Sequence, residues 1–340
     1  MSKNVKVGVI GTGAIGSLHA TNLARAVAGS EVVAVSDLDR DRARLVAAEV
    51  GAVEVPSATE LIRRPDVEAV LVATPASAHA EIVLEAVSAG KHVLCEKPLA
   101  TDAEDAARIV EKEMELGRRV VQVGFMRRFD PGYLEVAAAI DSGVLGTLLF
   151  AHMVHRNLSV PDFFDDEMVM HDSFIHEIDA TRWLLDEEII SVRVIHGLST
   201  PTAQTGLHDP QFLIMATKSG AVVIVEAFLS NGFGYDVRCE IVGSEGTAEL
   251  STPRLSRSTS LGVVAEPIHR TWRERFGDTY RIEAQAWVDS IRTGRPTGAS
   301  AWDGYAASAV AAAGIKALAL NGRSVEVQLP GRPAMYSSPT

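Results

Sequence analysis

The sequence predicts an α/β protein: a doubly wound parallel sheet at the N-terminus, then an α+β domain built on a mostly antiparallel open sheet. Three observations carry this. Up to residue 124, short apolar runs alternate with helical segments, the rhythm of parallel strands joined by crossover helices. A glycine triplet, Gly11-Thr12-Gly13-Ala14-Ile15-Gly16, lies between the first apolar run and the first helix. Beyond 124 the apolar runs are punctuated by Lys218-Ser219-Gly220 and Gly243-Ser244-Glu245-Gly246, the turn chemistry of hairpins.

Taken in order, residues 5–10 read as a strand, and the helix entered through the glycines runs to about Val27. Residues 31–36 read as a second strand ending at Asp37, and 40–50 as a helix. A short strand near Val53 and a helix from Ser57 come next. The apolar run 69–73 leads into Thr74-Pro75 and a helix over 78–89. Residues 91–95 read as a strand, 102–116 as a helix with acidic side chains crowding its first turn, and 120–123 as the sixth strand. This places a first domain at 1–124 and a second at 125–340, whose C-terminal helices can pack back on the first. In the second domain, 131–141 reads as a helix, 147–157 as a longer strand and 169–185 as an amphipathic α-helix. Residues 189–250 are strand-like, and 251–271, rich in Ser, Thr, Arg and Pro, read as an exposed loop or an oligomer contact. Helices near 279–293 and 302–320 follow, and the tail from Pro330 reads as irregular.

Composition narrows the function. With 47% hydrophobic and 22% charged residues, the chain can bury a substantial core. A net charge of −12 argues against a nucleic-acid partner, which requires a basic face. Cys95 and Cys239, the two cysteines, are too few for a disulfide framework and suit a reducing compartment. No signal-peptide pattern and no apolar stretch of membrane-spanning length is present, so a cytoplasmic protein without membrane attachment is expected.

The glycine triplet points to a dinucleotide. Gly11 permits the tight turn, Gly13 lets the backbone approach a pyrophosphate, and Gly16 lets the helix pack on the strand. The helix N-terminus then offers N–H groups and a positive dipole to the phosphates. Asp37 lies at the end of the second strand, near the spacing expected for a residue that accepts from a ribose 2′-hydroxyl. Its charge would repel a 2′-phosphate, and Arg40 is flanked by Asp39 and Asp41, so NAD is expected over NADP. The duller reading is an empty doubly wound domain.

Acid–base chemistry points to residues 169–185. On an α-helix, Asp172, His176 and Asp179 are spaced i, i+4, i+7 and share a face opposite Phe174, Ile175, Ile178 and Leu185. Histidine suits proton transfer near neutral pH, and a carboxylate one turn away can orient it. A metal held by His171, Asp172 and His176 is the rival reading. On an α-helix 171 and 176 point about 140° apart, and no cysteine or second close histidine completes a shell, so no metal is expected. Glu96-Lys97-Pro98 follows the fifth strand, at the carboxyl edge where ligands of such sheets bind. Lys97 there can stabilise negative charge developing on a substrate oxygen, or be an ordinary loop lysine.

Together, the glycine triplet, Thr74-Pro75 with His79, Glu96-Lys97-Pro98, and Asp172 followed by His176 resemble the glucose–fructose oxidoreductase, inositol dehydrogenase and rhizopine-catabolism (Gfo/Idh/MocA) family over nearly the whole chain. Residues 124–131, 232–236 and 301–305 are similar to its inositol-dehydrogenase branch. The resemblance implies that Lys97, Asp172 and His176 form a catalytic trio. It implies that Gly11, Thr12, Gly13, Ala14, Ile15, Gly16, Asp37, Thr74, Pro75, His79, Glu96 and Lys97 line NAD. It implies a polyol pocket of Met126, Arg127, His155, Asn157, Asp179 and Tyr235. The reaction implied is oxidation of myo-inositol to 2-keto-myo-inositol by a homo-oligomer, a dimer or homotetramer formed through the second sheet. Another cyclitol, such as scyllo- or chiro-inositol, or a pyranose is the alternative substrate. A non-catalytic sugar sensor is the alternative class, although it would have no need of the trio. His155 and Asn157 can instead be satisfied inside the sheet, Arg127 can serve an ion pair, and Tyr235 can be a core aromatic.

Overall fold

The computed structural model describes residues 4–250, 258–260, 263–265, 267–320 and 322–337. The chain divides into two compact units: Met1–Phe129 with Asp278–Ala309 and Leu329–Thr340, and Asp130–Gly277 with Val310–Gln328.

The first unit is built on β1 (Val5–Ile10), β2 (Ser30–Ser36), β3 (Val53–Glu54), β4 (Ala69–Val72), β5 (His92–Glu96) and β6 (Val121–Gly124). Their order is β6-β5-β4-β1-β2-β3, all parallel, with Ala299–Ser300 pairing antiparallel on β6. This is the Rossmann arrangement that the glycine triplet and alternating pattern predict. Val7, Val9, Val35 and Leu71 are fully buried, as expected of strands covered on both faces. Asp39 caps the helix Arg40–Val50 by accepting from Arg42 N, and Asp102 caps Ala103–Leu116 through Glu104 N. The helix Trp272–Thr293 begins seven residues before the expected start at 279. Its Ala284, Trp287 and Val288 join the core cluster of Val7, Val9, Leu23 and Leu71. The tail is more ordered than its composition suggests. Ala334–Tyr336 forms a 3-10 turn, and the buried Tyr336 hydroxyl donates to Glu113 Oε2 at 2.6 Å. Glu113 Oε1 accepts from Val120 N and Val121 N, so the tail is tied to the start of β6.

The second unit contains β7 (Leu148–Arg156), β8 (Ile189–His196), β9 (Gln211–Thr217), β10 (Val222–Phe228), β11 (Asp236–Gly243) and β12 (Thr247–Glu249), with Val325–Glu326 on the β8 edge. The order is β12-β11-β7-β10-β9-β8. Every pairing is antiparallel except β7 with β10. Alternation along β7, β9 and β10 sends Ala151, Met153, His155, Leu213, Met215, Val223 and Val225 to a buried face. Of the 251–271 stretch, expected as an exposed loop or an oligomer contact, residues 251–257, 261–262 and 266 lie outside the described residues. Within it, Ser258–Ser260 and Val263–Ala265 pair as a small antiparallel ladder.

The segment expected to be one amphipathic α-helix differs in two respects. Val169–Phe174 is a π-helix, and only Ile175–Leu185 is α-helical. Every residue from Ser173 to Arg182 is buried, the polar ones included. Packing on all sides, not a one-sided apolar stripe, holds this helix in place. Thr181 Oγ1 lies 4.0 Å from Met153 Sδ, and Gly314 approaches Met170, so both β7 and the helix Ala301–Leu318 press on it. No described helix is long and apolar enough to cross a membrane.

Candidate active site

On the first unit, the loop after β1 carries the candidate cofactor residues. Gly11 has φ +90° and sits so near the Ala73–Thr74 backbone that a Cβ would collide with the Ala73 carbonyl. A Cβ on Gly16 would strike the Gly11 carbonyl, so this glycine lets the helix Ala14–Arg25 close on the loop. Gly13 faces open space and caps that helix without any side-chain acceptor. The backbone at this point is open to an anionic group.

Asp37, at the end of β2, is held from both sides. Its Oδ2 accepts from Thr12 N at 2.6 Å and Thr12 Oγ1 at 2.8 Å; its Oδ1 accepts from Asp39 N and Arg42 Nη2, both at 2.8 Å. Burial raises its pKa, but these four donors outweigh it and hold the carboxyl below the ordinary aspartate value. Thr12 therefore spends its N–H on Asp37. Arg40, three residues beyond Asp37, is paired with Glu54.

After β4 and β5, His79 braces two loops. Its Nδ1 lies 2.7 Å from Pro98 O and its Nε2 2.9 Å from Thr74 O. Burial, stronger than these hydrogen bonds, lowers its pKa, so the neutral ring donates to one carbonyl at a time. Thr74 Oγ1 is buried with no hydrogen-bond partner among the described residues, a polar atom that a ligand can satisfy. Glu96 does not simply line a cleft: its Oε1 lies 2.7 Å from His19 Nε2, and Lys97 N donates to its Oε2 at 3.3 Å. His19 was not singled out in the sequence, although it follows the last glycine of the triplet by three residues. Met126 and Arg127 lie on the 3-10 turn Met126–Phe129, and both side chains are buried.

On the second unit, three rings converge at the end of β7. The rings of His155 and His176 are 6.2 Å apart, and those of His155 and Tyr235 6.3 Å apart. Glu177, fully buried, lies 3.1 and 3.2 Å from His155 Nδ1 through its two oxygens. A carboxylate against Nδ1 fixes the orientation of the imidazole ring. Sequence reading passed over Glu177 because it sits one residue off the Asp172/His176/Asp179 face. His176 and Asp179 are buried, whereas Asp172 is exposed on the π-helical turn. Asn157 lies just past β7: its N–H donates to Phe228 O, its carbonyl accepts from Asn231 Nδ2, and its Oδ1 is buried without a partner among the described residues.

A Rossmann sheet with an open glycine turn, in one chain with a second unit presenting buried histidines and carboxylates, defines a nicotinamide-dependent oxidoreductase. Residues 5–125 match the family model described as "Oxidoreductase family, NAD-binding Rossmann fold", and residues 133–249 match the GFO/IDH/MocA C-terminal domain. The chain belongs to the Gfo/Idh/MocA family. It is 49% identical to inositol 2-dehydrogenase 3 of Saccharopolyspora erythraea, over 98% of each chain. Among solved structures, it superposes on myo-inositol dehydrogenase from Lactobacillus casei, in complex with NAD(H) and myo-inositol, with a TM-score of 0.95. That likeness has 36% identity and covers 98% of this chain and 100% of the other. Scyllo-inositol dehydrogenase from Lactobacillus casei, with bound NAD(H) and scyllo-inositol, gives a TM-score of 0.86 at 25% identity, covering 96% of this chain and 99% of that one.

Proposed function

We propose that this protein oxidises myo-inositol at its axial hydroxyl to 2-keto-myo-inositol, with NAD as cofactor. The observation that carries this reading is the convergence of His155, His176 and Tyr235, with Glu177 fixing His155, in a family member similar over its whole length to inositol 2-dehydrogenases. The open face at Gly13, the uncapped helix behind it, the orphaned Thr74 Oγ1 and the Asp37 carboxylate fit a dinucleotide. When bound, NAD supplies the hydride acceptor. His176 takes the hydroxyl proton, Asp172 orients it, and Lys97 holds the oxygen as negative charge develops and assists proton transfer. The carbon loses a hydride and the oxygen a proton, leaving a ketone, NADH and a proton that passes to solvent. Met126, Arg127, His155, Asn157, Asp179 and Tyr235 are the proposed partners of the remaining hydroxyls. In this reading His79 and Glu96 act by fixing the loops that carry Thr74 and Lys97, and Pro75 and Ile15 shape the walls.

A homo-oligomer, dimer or tetramer, in the cytoplasm completes the proposal. Its support is the outer face of the second sheet, where Ile195, Val222 and Ile224 are 40%, 38% and 39% exposed. Growth of the NADH absorbance band across a panel of inositols, aldoses and 2-hydroxy acids tests the substrate. Turnover of myo-inositol, weaker turnover of other cyclitols and none of lactate or malate is expected. An inert myo-inositol beside a rapidly oxidised cyclitol or pyranose would overturn the named substrate.

A further inference from the structure

A second cluster of ligand-type side chains lies in the second unit, away from the proposed polyol residues. Asp166 opens the helical turn Asp166–Met168, His196 ends β8, and His208 lies in the segment 197–210. One ligand atom of each falls within 4.8 Å of the others. His208 Nδ1 is 2.6 Å from Asp166 Oδ2, and His208 N donates to Asp166 Oδ1 at 2.7 Å. Gln211 Nε2 donates to the same Oδ1 at 2.6 Å. The two imidazoles touch, with centroids 4.0 Å apart at 63°.

Two atoms at this cluster are buried and lack a hydrogen-bond partner among the described residues: His196 Nε2, and Oε1 of Gln211, whose side chain is 1% exposed. Leaving such atoms unsatisfied is costly, and a bound cation carrying water offers partners to both. We propose that Asp166, His196 and His208 bind a divalent first-row transition cation of the Zn²⁺ type. Imidazole nitrogen and carboxylate oxygen are ligands such ions accept.

The sheet register separates this site from the proposed reaction. His196 pairs with Gln211, Gln211 with Ala227, and Ala227 with His155, in one row across four strands. Three strand spacings of ~4.8 Å put the cation about 14 Å from His155. Its work is structural: it fastens segment 197–210 to β8 and to the turn entering Val169–Phe174. The inference does not depend on which substrate is oxidised.

Full-length protein without a histidine tag, stripped with chelator, tests it by Zn²⁺ calorimetry, Co²⁺ visible absorption and thermal unfolding. A single equivalent of Zn²⁺ is expected to bind and raise the melting midpoint, and Co²⁺ to show ligand-field bands. His196→Ala and His208→Ala should each weaken Zn²⁺ by about tenfold or more, and Asp166→Asn by ~10–100-fold, with NADH binding unchanged. No binding at millimolar Zn²⁺, or wild-type affinity in both histidine variants, would overturn the site. If a variant fails to fold, the wild type still decides. Affinity that falls between about pH 7.5 and pH 5 supports imidazole ligation, and affinity flat over that range overturns it.

Discussion

Asp37 does two jobs with one carboxylate: it ties Thr12 and Arg42 together, and its charge meets whatever ribose binds at the end of β2. We expect kcat/KM with NAD to exceed that with NADP by about tenfold or more, the size of roughly one unit of charge-dependent interaction. Asp37→Ser should narrow this gap, because it removes the repulsion and releases Arg42 toward a phosphate. The lowered pKa also fixes the pH dependence. Protonation of Asp37 would weaken discrimination only below the ordinary aspartate value of 3.8, so the ratio should stay flat from about pH 7 to pH 9, above the ~6 at which a 2′-phosphate takes up its second proton. Steady-state kinetics with both cofactors measure this, and equal efficiencies in the wild type would refute it. For the proposed trio, His176→Ala should lower kcat by ~10²–10⁴ while NADH binding survives. Glu177→Leu probes a residue outside the trio. Removing the acceptor from His155 Nδ1 should raise KM for the polyol by ~5- to 150-fold, the range of one unmade buried hydrogen bond, with NAD affinity unchanged. A normal KM would show that His155 needs no fixing.

At the scale of elements, the π-helix Val169–Phe174 decides how Asp172 stands to His176. Periodicity alone spaces them as on an α-helix, and a wider turn rotates every residue before Ile175 relative to that expectation. Deleting Ser173 would shift Asp172 by about 100° around the axis. Activity is expected to fall as far as in His176→Ala, with NADH binding by the first unit retained; full activity in the deletion variant would mean that the register is irrelevant. The C-terminal half of Trp272–Thr293 carries stability instead. Trp287 is 2% exposed within the core of β1, β2 and β4, so Trp287→Ala should cost ~3–5 kcal/mol in denaturant unfolding.

For the molecule as a whole, the proposed oligomer rests on the outer face of the second sheet. Ile224 stands beside Ile214 on β9 and His152 on β7, and Ile195 beside Phe212, giving an apolar surface that a second copy can bury. Ile224→Glu should convert an oligomer to monomer in size-exclusion chromatography with light scattering. A wild type that elutes as a monomer would end the proposal.

The fold was largely legible because its signals are local. Gly11 and Gly16 are required by backbone approach, Asp37 closes a strand, and alternating apolar runs need helices to cover them. These constraints act within a few residues, so composition and spacing record them. What escaped depends on contacts between segments distant in sequence. Glu177 matters only once β7 brings His155 beside it, His19 only once β5 delivers Glu96, and Tyr336 only once Glu113 awaits its hydroxyl. The amphipathic reading of 169–185 failed for the same reason: a helix enclosed on every side owes its shape to its neighbours, and a one-dimensional pattern cannot display them. The sequence by itself thus determined the fold class, the family and the glycine turn of the NAD-binding domain. Tertiary packing alone decided the π-turn, the buried partners of each histidine and the meeting of Asp166, His196 and His208, because burial and partner choice are properties of three-dimensional proximity.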